Sequence, residues 1–382
     1  MDPKAGAQER LHERLQTLLN LSHRIHANPE LGFEEERACA WLCEELSQAG
    51  FTVARGVCDI PTAFIARSGT GPLHVAFCAE YDALPLVGHA CGHNLIAAMA
   101  AGAGIAAAQA QDDVGLTVSV IGTPAEEGGG GKILLLERGA FDGVHAAMMV
   151  HPEPLEHCTR PLCASLVFEV RSSKAGSGSS ADVPEKSVIE AIEIAESKAR
   201  QVCGGYLVRV GDQAKAIGDC ALRDVPAAQG DQYGARYFLG APRLEDLRKA
   251  WKDINRVFQE SAVANSTQLE IVGGQRPYAE VRHDLEIASF YRRNATKLGR
   301  TFCDRPLDPI GAPSTDLGNV SLKIPSIHPT IAIDADGYSN HQPGFASACV
   351  GESADRAVAD GSLAMAWTAI DLASNPNLHV GR

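Results

Sequence analysis

The chain has 382 residues, of which 45% are hydrophobic and 21% are charged, and its formal net charge is −13. This length favours two domains, and the composition is typical of a globular protein with a large core. The negative charge argues against a nucleic-acid partner, because phosphate binding needs a basic surface.

Membrane insertion and secretion are also not expected. The longest apolar run, residues 95–108, is too short to cross a bilayer, and the polar N-terminus lacks a secretion signal. The 11 cysteines are odd in number and irregularly spaced, which favours reduced thiols over a disulfide framework. We therefore expect a cytoplasmic protein.

Hydrophobic periodicity predicts two N-terminal helices, followed by strands that alternate with helices up to residue 150. The predicted helices are 8–27, 35–48, 95–110 and 132–138, and the predicted strands are 51–57, 62–66, 73–78, 116–121 and 146–150. Such alternation implies an α/β domain whose mostly parallel sheet is covered on both faces.

The pattern changes near residue 163. The next block of roughly 110 residues has the size and alternation of a small α+β domain. Its predicted elements are strands 166–171, 236–239 and 268–272 and helices 186–200 and 244–262. The first pattern then resumes, with helix 285–298, a strand near 330–333 and helix 353–372. We predict a catalytic domain of residues 1–163 and 277–382, interrupted by an inserted domain of residues 164–276.

The segment 80–94 concentrates candidate metal ligands, including Cys91 and His93. A thiolate and an imidazole two residues apart can bind one Zn²⁺ or another borderline-soft divalent ion, but this pair alone is a weak signal. Three further clusters, 123–127, 151–154 and 340–343, strengthen it. The clusters follow predicted strands, and α/β sheets bind ligands beyond the carboxyl ends of their strands. Together they can form a two-metal hydrolytic site.

Glu126 and Glu127 are adjacent between a predicted buried strand and a glycine-rich loop. In an extended backbone their side chains would point to opposite sides, so that one could bind a metal and the other act as general base. A plain exposed acidic pair is the alternative, and the placement argues against it. A phosphate-binding loop at 128–132 is excluded, because Ile133 stands where Ser or Thr is needed.

Each remaining candidate also has a structural interpretation. His151 could be a structural histidine at the end of the predicted strand 146–150, and His341 could be an ordinary loop histidine, although neutral imidazole is the commonest metal ligand. Cys91 could be a small buried residue. Asp82 could cap a helix or could orient a ligand histidine from behind, which metal sites routinely require.

These clusters resemble the amidohydrolase branch of the aminoacylase-like dimetal peptidases, which includes hippurate hydrolase, the auxin-conjugate hydrolases and p-aminobenzoyl-glutamate hydrolase. The resemblance extends over nearly the whole chain. It rests on segments 26–35, 80–94, 123–132, 151–154, 314–321 and 340–343.

The resemblance implies a catalytic α/β domain with an inserted ferredoxin-like lid, through which members commonly form homodimers. It also implies two divalent ions, Zn²⁺, Mn²⁺ or Co²⁺, and a small-molecule substrate with a free carboxylate beside the scissile amide. Such substrates are N-acyl amino acids, aminobenzoyl-glutamate or dipeptides. By resemblance, Glu126 is the general base and Asp82 the supporting carboxylate, and the metal ligands are Cys91, His93, Glu127, His151 and His341.

One departure from the family pattern concerns the oxyanion. The family lid carries a histidine in a motif that here reads Lys174-Ala-Gly-Ser-Gly-Ser-Ser-Ala181, with Ser177 at the histidine position. Loss of one oxyanion donor costs ~10²–10³ in rate. Ser177 or Asn340 could substitute as a substrate or oxyanion contact. The alternative is a catalytically impaired pseudoenzyme that acts as a small-molecule binder or scaffold. A thiol-redox enzyme is disfavoured, because the chain has no Cys-x-x-Cys motif.

Overall fold

The computed structural model describes residues 2–172, 185–202, 206–209, 234–305, 307 and 312–375. They belong to two compact units. The first contains Met1–Arg160, Val281–Leu307 and Asn319–Arg382, and the second contains Pro161–Glu280 and Asp308–Gly318. Within the described part of the chain, no helix is long and apolar enough to span a membrane.

The described helices and strands are numbered in chain order. The helices are α1 (Pro3–His26), α2 (Glu36–Gln48), α3 (His93–Ala108), α4 (Gln111–Val114), α5 (Gly131–Glu137), α6 (Glu185–Val202), α7 (Leu244–Ala264), α8 (Leu285–Lys297), α9 (Leu317–Ser321), α10 (Pro343–Ala348) and α11 (Glu352–Ala373). The strands are β1 (Thr52–Arg55), β2 (Phe64–Ser68), β3 (Leu73–Ala79), β4 (Leu116–Gly122), β5 (Ala146–Met148), β6 (His151–Glu153), β7 (Ala164–Ser172), β8 (Tyr206–Arg209), β9 (Gly234–Ala241), β10 (Leu269–Gly273), β11 (Ser326–Ile327) and β12 (Thr330–Ala332).

The first unit is built on a six-stranded sheet in the order β1-β2-β4-β3-β5-β11. The four strands from β4 to β11 pair in parallel, whereas β1 and β2 are antiparallel to their neighbours. Residues 56–63 join β1 to β2, and this connection is shorter than the dozen or more residues that a parallel crossover requires. The mostly parallel sheet predicted from the sequence is confirmed.

Helix α3 lies in the centre of the first unit, packed against β3, α1 and α11. It is apolar on all sides and buried from His93 to Ala107, as expected for a helix in the interior. Its alanines and glycines permit close approach: a Cβ at Gly102 would lie 2.4 Å from Ser362 Oγ. The helix starts at His93, so burial of α3 fixes the backbone of one candidate ligand.

The described part of the second unit is a four-stranded antiparallel sheet in the order β10-β7-β9-β8, with helices α6 and α7. These described strands and helices follow one another as β-α-β-β-α-β, which is the ferredoxin-like arrangement. Phe168 contacts Tyr237, Trp251 and Phe258 in an aromatic core. This unit has the predicted α+β architecture, although the short strand β8 was not predicted from the sequence.

Candidate metal centre

The candidate ligands lie in four segments at one end of the first unit, namely residues 91–93, 126–127, 151 and 341. Loops 80–92 and 123–130 follow the parallel strands β3 and β4, and His151 opens β6, which pairs with β12. His151 was predicted to follow directly on the strand 146–150, and here it begins a separate strand. Because the ends of parallel strands meet at one edge, residues 60 to 250 positions apart become neighbours.

Cys91 lies between two histidines. Its Sγ is 3.3 Å from His151 Nε2 and 3.2 Å from His341 Nε2. Gly92 allows this placement, because it has a φ of +79° and a Cβ there would lie 2.4 Å from Pro152 Cγ. The thiol therefore faces both imidazoles and can bind two ions at once.

Asp82 orients His93 and is not a helix cap, since the N-cap of α3 is Gly92. Asp82 Oδ1 lies 3.0 Å from His93 Nδ1, and Oδ2 accepts a 2.9 Å hydrogen bond from the backbone N–H of Glu127. This contact fixes the ring so that Nε2 faces the other candidate ligands. The same carboxylate thus holds one imidazole and the backbone of the Glu-Glu pair.

Glu126 and Glu127 lie in a turn and not in the extended backbone that would separate their side chains. Ala125 adopts a left-handed φ of +56°, and the backbone N–H of Gly128 donates to the Glu126 carbonyl. As a result both carboxylates face His93 Nε2, which lies 3.8 Å from Glu126 Oε2 and 3.9 Å from Glu127 Oε1. The reversal at Ala125 brings two adjacent side chains to one site.

Three groups of side chains each place their ligand atoms within 4.8 Å of one another. They are Cys91, His93 and His151; Cys91, Glu127 and His341; and Glu80, His93 and Glu126. The first two groups share Cys91, as expected of a bridging thiolate. In addition, His93 Nε2 is buried, and no described residue completes a hydrogen bond with it. The donor set and this orphaned nitrogen fit a pair of divalent cations.

The pKa shifts of His151 and Glu127 favour the protonation states that metal ligands require. Burial, together with His328 and His93, lowers the pKa of His151 well below its usual range, so the imidazole is neutral. Burial alone would raise the pKa of Glu127, but nearby His341 lowers it and keeps the carboxylate ionised. Burial also opposes a charge on His93, yet Asp82 and Cys91 raise its pKa well above normal. The surroundings of Nε2 thus favour a positive charge, which a metal cation supplies.

Four residues near the centre were not predicted as site residues from the sequence. Glu80 lies 3.4 Å from His93 Nε2 through Oε2 and pairs with the buried Lys132 through Oε1 at 2.5 Å. The ring of His328 stacks on that of His151, with 5.5 Å between the two ring centroids. Glu35 accepts a hydrogen bond from the backbone N–H of Ala125. No local spacing pattern reveals these contacts, because each joins distant segments.

The two predicted substrate contacts have different outcomes. The Nδ2 amide of Asn340 donates a 3.0 Å hydrogen bond to the Pro152 carbonyl and so ties the loop of His341 to β6. Its role toward an oxyanion remains a prediction. Ser177 lies outside the described residues.

Known proteins resemble this chain in sequence and in fold. A model of peptidase family M20/M25/M40 matches residues 76–354. The chain belongs to this family. The mouse Xaa-Arg dipeptidase is 32% identical, with 99% of this chain and 90% of the relative aligned. One of the subunits of the Escherichia coli p-aminobenzoyl-glutamate hydrolase is 28% identical, with 67% of this chain and 57% of the relative aligned.

Solved structures share the fold of this M20 protein. The Bacillus subtilis YXEP protein, a dinuclear metal binding peptidase from the M20 family, gives a TM-score of 0.68 at 20% identity, covering 94% of this chain and 99% of that one. The Klebsiella pneumoniae aminobenzoyl-glutamate utilization protein also gives 0.68, at 15% identity, covering 98% and 100%. The resemblance inferred from the motifs is confirmed. The protein is a metal-dependent hydrolase of the M20 family, and the comparisons give no support to the pseudoenzyme alternative.

Proposed function

We propose that this M20 hydrolase is a dimetal dipeptidase that cleaves the amide bond next to a free carboxylate. The main support for the proposal is the position of Cys91 between His151 and His341. In addition, both glutamates of the 126–127 turn face the same centre. This arrangement offers two adjoining sets of ligands around one shared thiolate and leaves a carboxylate for proton transfer.

The proposed ligand sets are Cys91, His93 and His151 for one ion and Cys91, Glu127 and His341 for the other. When bound, such ions polarise the scissile carbonyl and lower the pKa of a water from ~15.7 toward ~7. Glu126 takes the proton of the attacking water and delivers it to the leaving amine. Asp82 keeps Nδ1 of His93 occupied, so that Nε2 serves as the ligand atom. The set of a thiolate, imidazoles and carboxylates suits Zn²⁺, Mn²⁺ or Co²⁺.

Dipeptides come first among the substrates, with aminobenzoyl-glutamate and N-acyl amino acids after them. The long alignment to the Xaa-Arg dipeptidase supports a dipeptide with a basic C-terminal residue. The shorter alignment to the aminobenzoyl-glutamate hydrolase supports an acidic one. We expect the free carboxylate to be required in either case, so a C-terminally amidated dipeptide should not be cleaved.

The compartment and the assembly belong to the same proposal. The nine cysteines of the described residues are all free thiols, and they include Cys91, whose thiolate the proposed site needs. A reducing compartment such as the cytoplasm preserves that thiolate. A homodimer formed through the second unit remains a prediction from the family resemblance.

The test is hydrolysis of a defined panel after metal removal and reconstitution with Zn²⁺, Mn²⁺ or Co²⁺. The panel contains dipeptides ending in Arg, Lys or Glu, their C-terminal amides, aminobenzoyl-glutamate and N-acetyl amino acids. We expect metal-dependent release of the C-terminal amino acid from free acids. Glu126→Gln, which preserves size and hydrogen bonding, should lower kcat by ~10²–10⁴ without changing the metal content. Two bound ions without turnover on any substrate, or an active Glu126→Gln variant, would contradict the proposal.

A further inference from the structure

An N-terminal segment, residues 28–35, lies against both loops that carry the carboxylates of the site. The backbone N–H of Ala83, next to Asp82, donates a 2.8 Å hydrogen bond to the Glu30 carbonyl. Gly32 packs on Ala125 so closely that a Cβ at Gly32 would lie 2.9 Å from Ala125 Cβ. The segment therefore touches the backbone immediately beside Asp82 and immediately before the Glu-Glu pair.

Glu35 makes the most specific contact of this segment. Its Oε1 accepts a 2.8 Å hydrogen bond from the backbone N–H of Ala125, and its side chain is fully buried. Ala125 needs such an anchor, because its φ of +56° is a left-handed conformation that alanine rarely adopts. The turn that follows directs Glu126 and Glu127 toward His93. A strained residue thus stands directly before the two carboxylates, held by a distant side chain.

A helix-capping role does not account for Glu35. It occupies the N-cap position of α2, but its side chain makes no capping hydrogen bond. Instead, the carboxylate contacts the 123–130 loop. Burial, and the negative charge of Asp82, raise the pKa of Glu35 to about 7. Burial of a carboxyl group lowers the stability of the fold unless the group is hydrogen-bonded. The contact that compensates Glu35 therefore lies outside helix α2, at Ala125.

We propose that Glu35 is a positioning residue that holds Ala125 in its left-handed conformation and thereby aims Glu126 and Glu127 at the metal centre. The inference rests on the proposed function for its effect on turnover. Its effect on metal binding does not depend on turnover, because Glu127 belongs to a ligand group whatever the substrate. Displacement of reacting groups by about 1 Å can cost ~10²-fold in rate.

The experiment compares Glu35→Leu, which removes the acceptor, with Glu35→Gln, whose amide oxygen can still accept the Ala125 N–H. Ala125→Gly in the Glu35→Leu background is a rescue variant, since glycine adopts positive φ without strain. Glu45→Leu is the matched control: Glu45 is also a buried glutamate, lies on α2 and pairs with Arg14 away from the turn. The readouts are kcat, KM, the melting temperature and the Zn²⁺ dissociation constant from chelator competition.

We expect Glu35→Leu to lower kcat and weaken Zn²⁺ binding by ~10–100-fold, with KM changed less than about threefold. Glu35→Gln should recover at least tenfold of the kcat loss, and Ala125→Gly should recover part of it. Glu45→Leu should lower the melting temperature without changing kcat or Zn²⁺ affinity.

Equal loss of stability in Glu35→Leu and Glu45→Leu, with kcat and Zn²⁺ affinity intact in both, would overturn the inference. So would a Glu35→Gln variant as impaired as Glu35→Leu. If Glu35→Leu does not fold, Glu35→Gln and the single Ala125→Gly variant must both retain Zn²⁺ affinity within about threefold, and failure of either rejects the role. If the wild-type protein hydrolyses no substrate, the proposed function fails, and the Zn²⁺ affinities still test Glu35.

Discussion

The buried ion pair of Lys132 and Glu80 should contribute to the stability of the first unit next to the centre. Lys132 ends the glycine-rich run that superficially resembles a phosphate loop, yet its side chain is fully buried and its Nζ lies 2.5 Å from Glu80 Oε1. Glu80 is 1% exposed. Lys132→Met keeps the length and apolar stem of the side chain but leaves the carboxylate without its ammonium partner.

The geometry of the pair sets the expected loss in the free energy of unfolding. Removal of one partner of a buried ion pair costs about 3–5 kcal/mol, because the other charge stays buried. Glu80 keeps a second contact through His93 Nε2, 3.4 Å from Oε2, so we expect a value near the lower limit, about 3 kcal/mol. For a unit of this size, that loss lowers the melting temperature by roughly 6–12 °C.

The assay is thermal unfolding of the metal-free protein in EDTA, so that metal binding does not contribute. The double variant Lys132→Met/Glu80→Leu is the control, since replacement of both partners by apolar groups is often neutral or stabilising. We expect it to melt above the Lys132→Met single variant. A single variant that melts within about 2 °C of wild type, or a double variant less stable than the single one, would show that the unpaired Glu80 carboxylate does not destabilise the fold.

Three further outcomes are expected. Asp82→Asn should weaken Zn²⁺ binding by ~10–100-fold, measured by chelator competition, because the amide no longer favours the His93 tautomer that presents Nε2. Gly92→Ala should reduce the bound metal measured by atomic emission, because the new Cβ would meet Pro152 Cγ at 2.4 Å and displace Cys91. For Glu35, burial raises the pKa from 4.5 to about 7, so its contribution to stability is full below pH 4.5 and is lost as pH rises through about 7. The melting temperature of Glu35→Gln in EDTA should therefore fall less than that of wild type over this range.

Each of these outcomes has a matched comparison. Asp82→Glu should bind Zn²⁺ more tightly than Asp82→Asn, and equal affinities would count against charge as the cause. Gly143→Ala tests a glycine of similar φ, +74°, with no atom within 4 Å of its Cβ position, and it should retain metal. An identical pH profile in wild type and Glu35→Gln would show that Glu35 does not titrate as described.

The residue types of the proposed centre and the class of the fold could be predicted from the sequence alone. Local patterns in the sequence are enough to predict the types of metal ligand. These patterns are the Cys91–His93 spacing, the Glu126–Glu127 pair and the histidines His151 and His341. Periodicities of two and 3.6 residues placed the central strands and the long helices within a few residues of their positions. These features could be predicted, because each depends on neighbours along the chain.

How these groups face one another depends on contacts between distant segments of the folded chain. The left-handed Ala125 precedes Glu126 and Glu127 where the chain turns, and its N–H donates to Glu35, 90 residues earlier. Lys132 pairs with Glu80, 52 residues earlier, and both side chains are buried. Such contacts depend on which strand ends become neighbours in the sheet. Local spacing does not encode that neighbourhood, so these partners could be identified only from the folded chain.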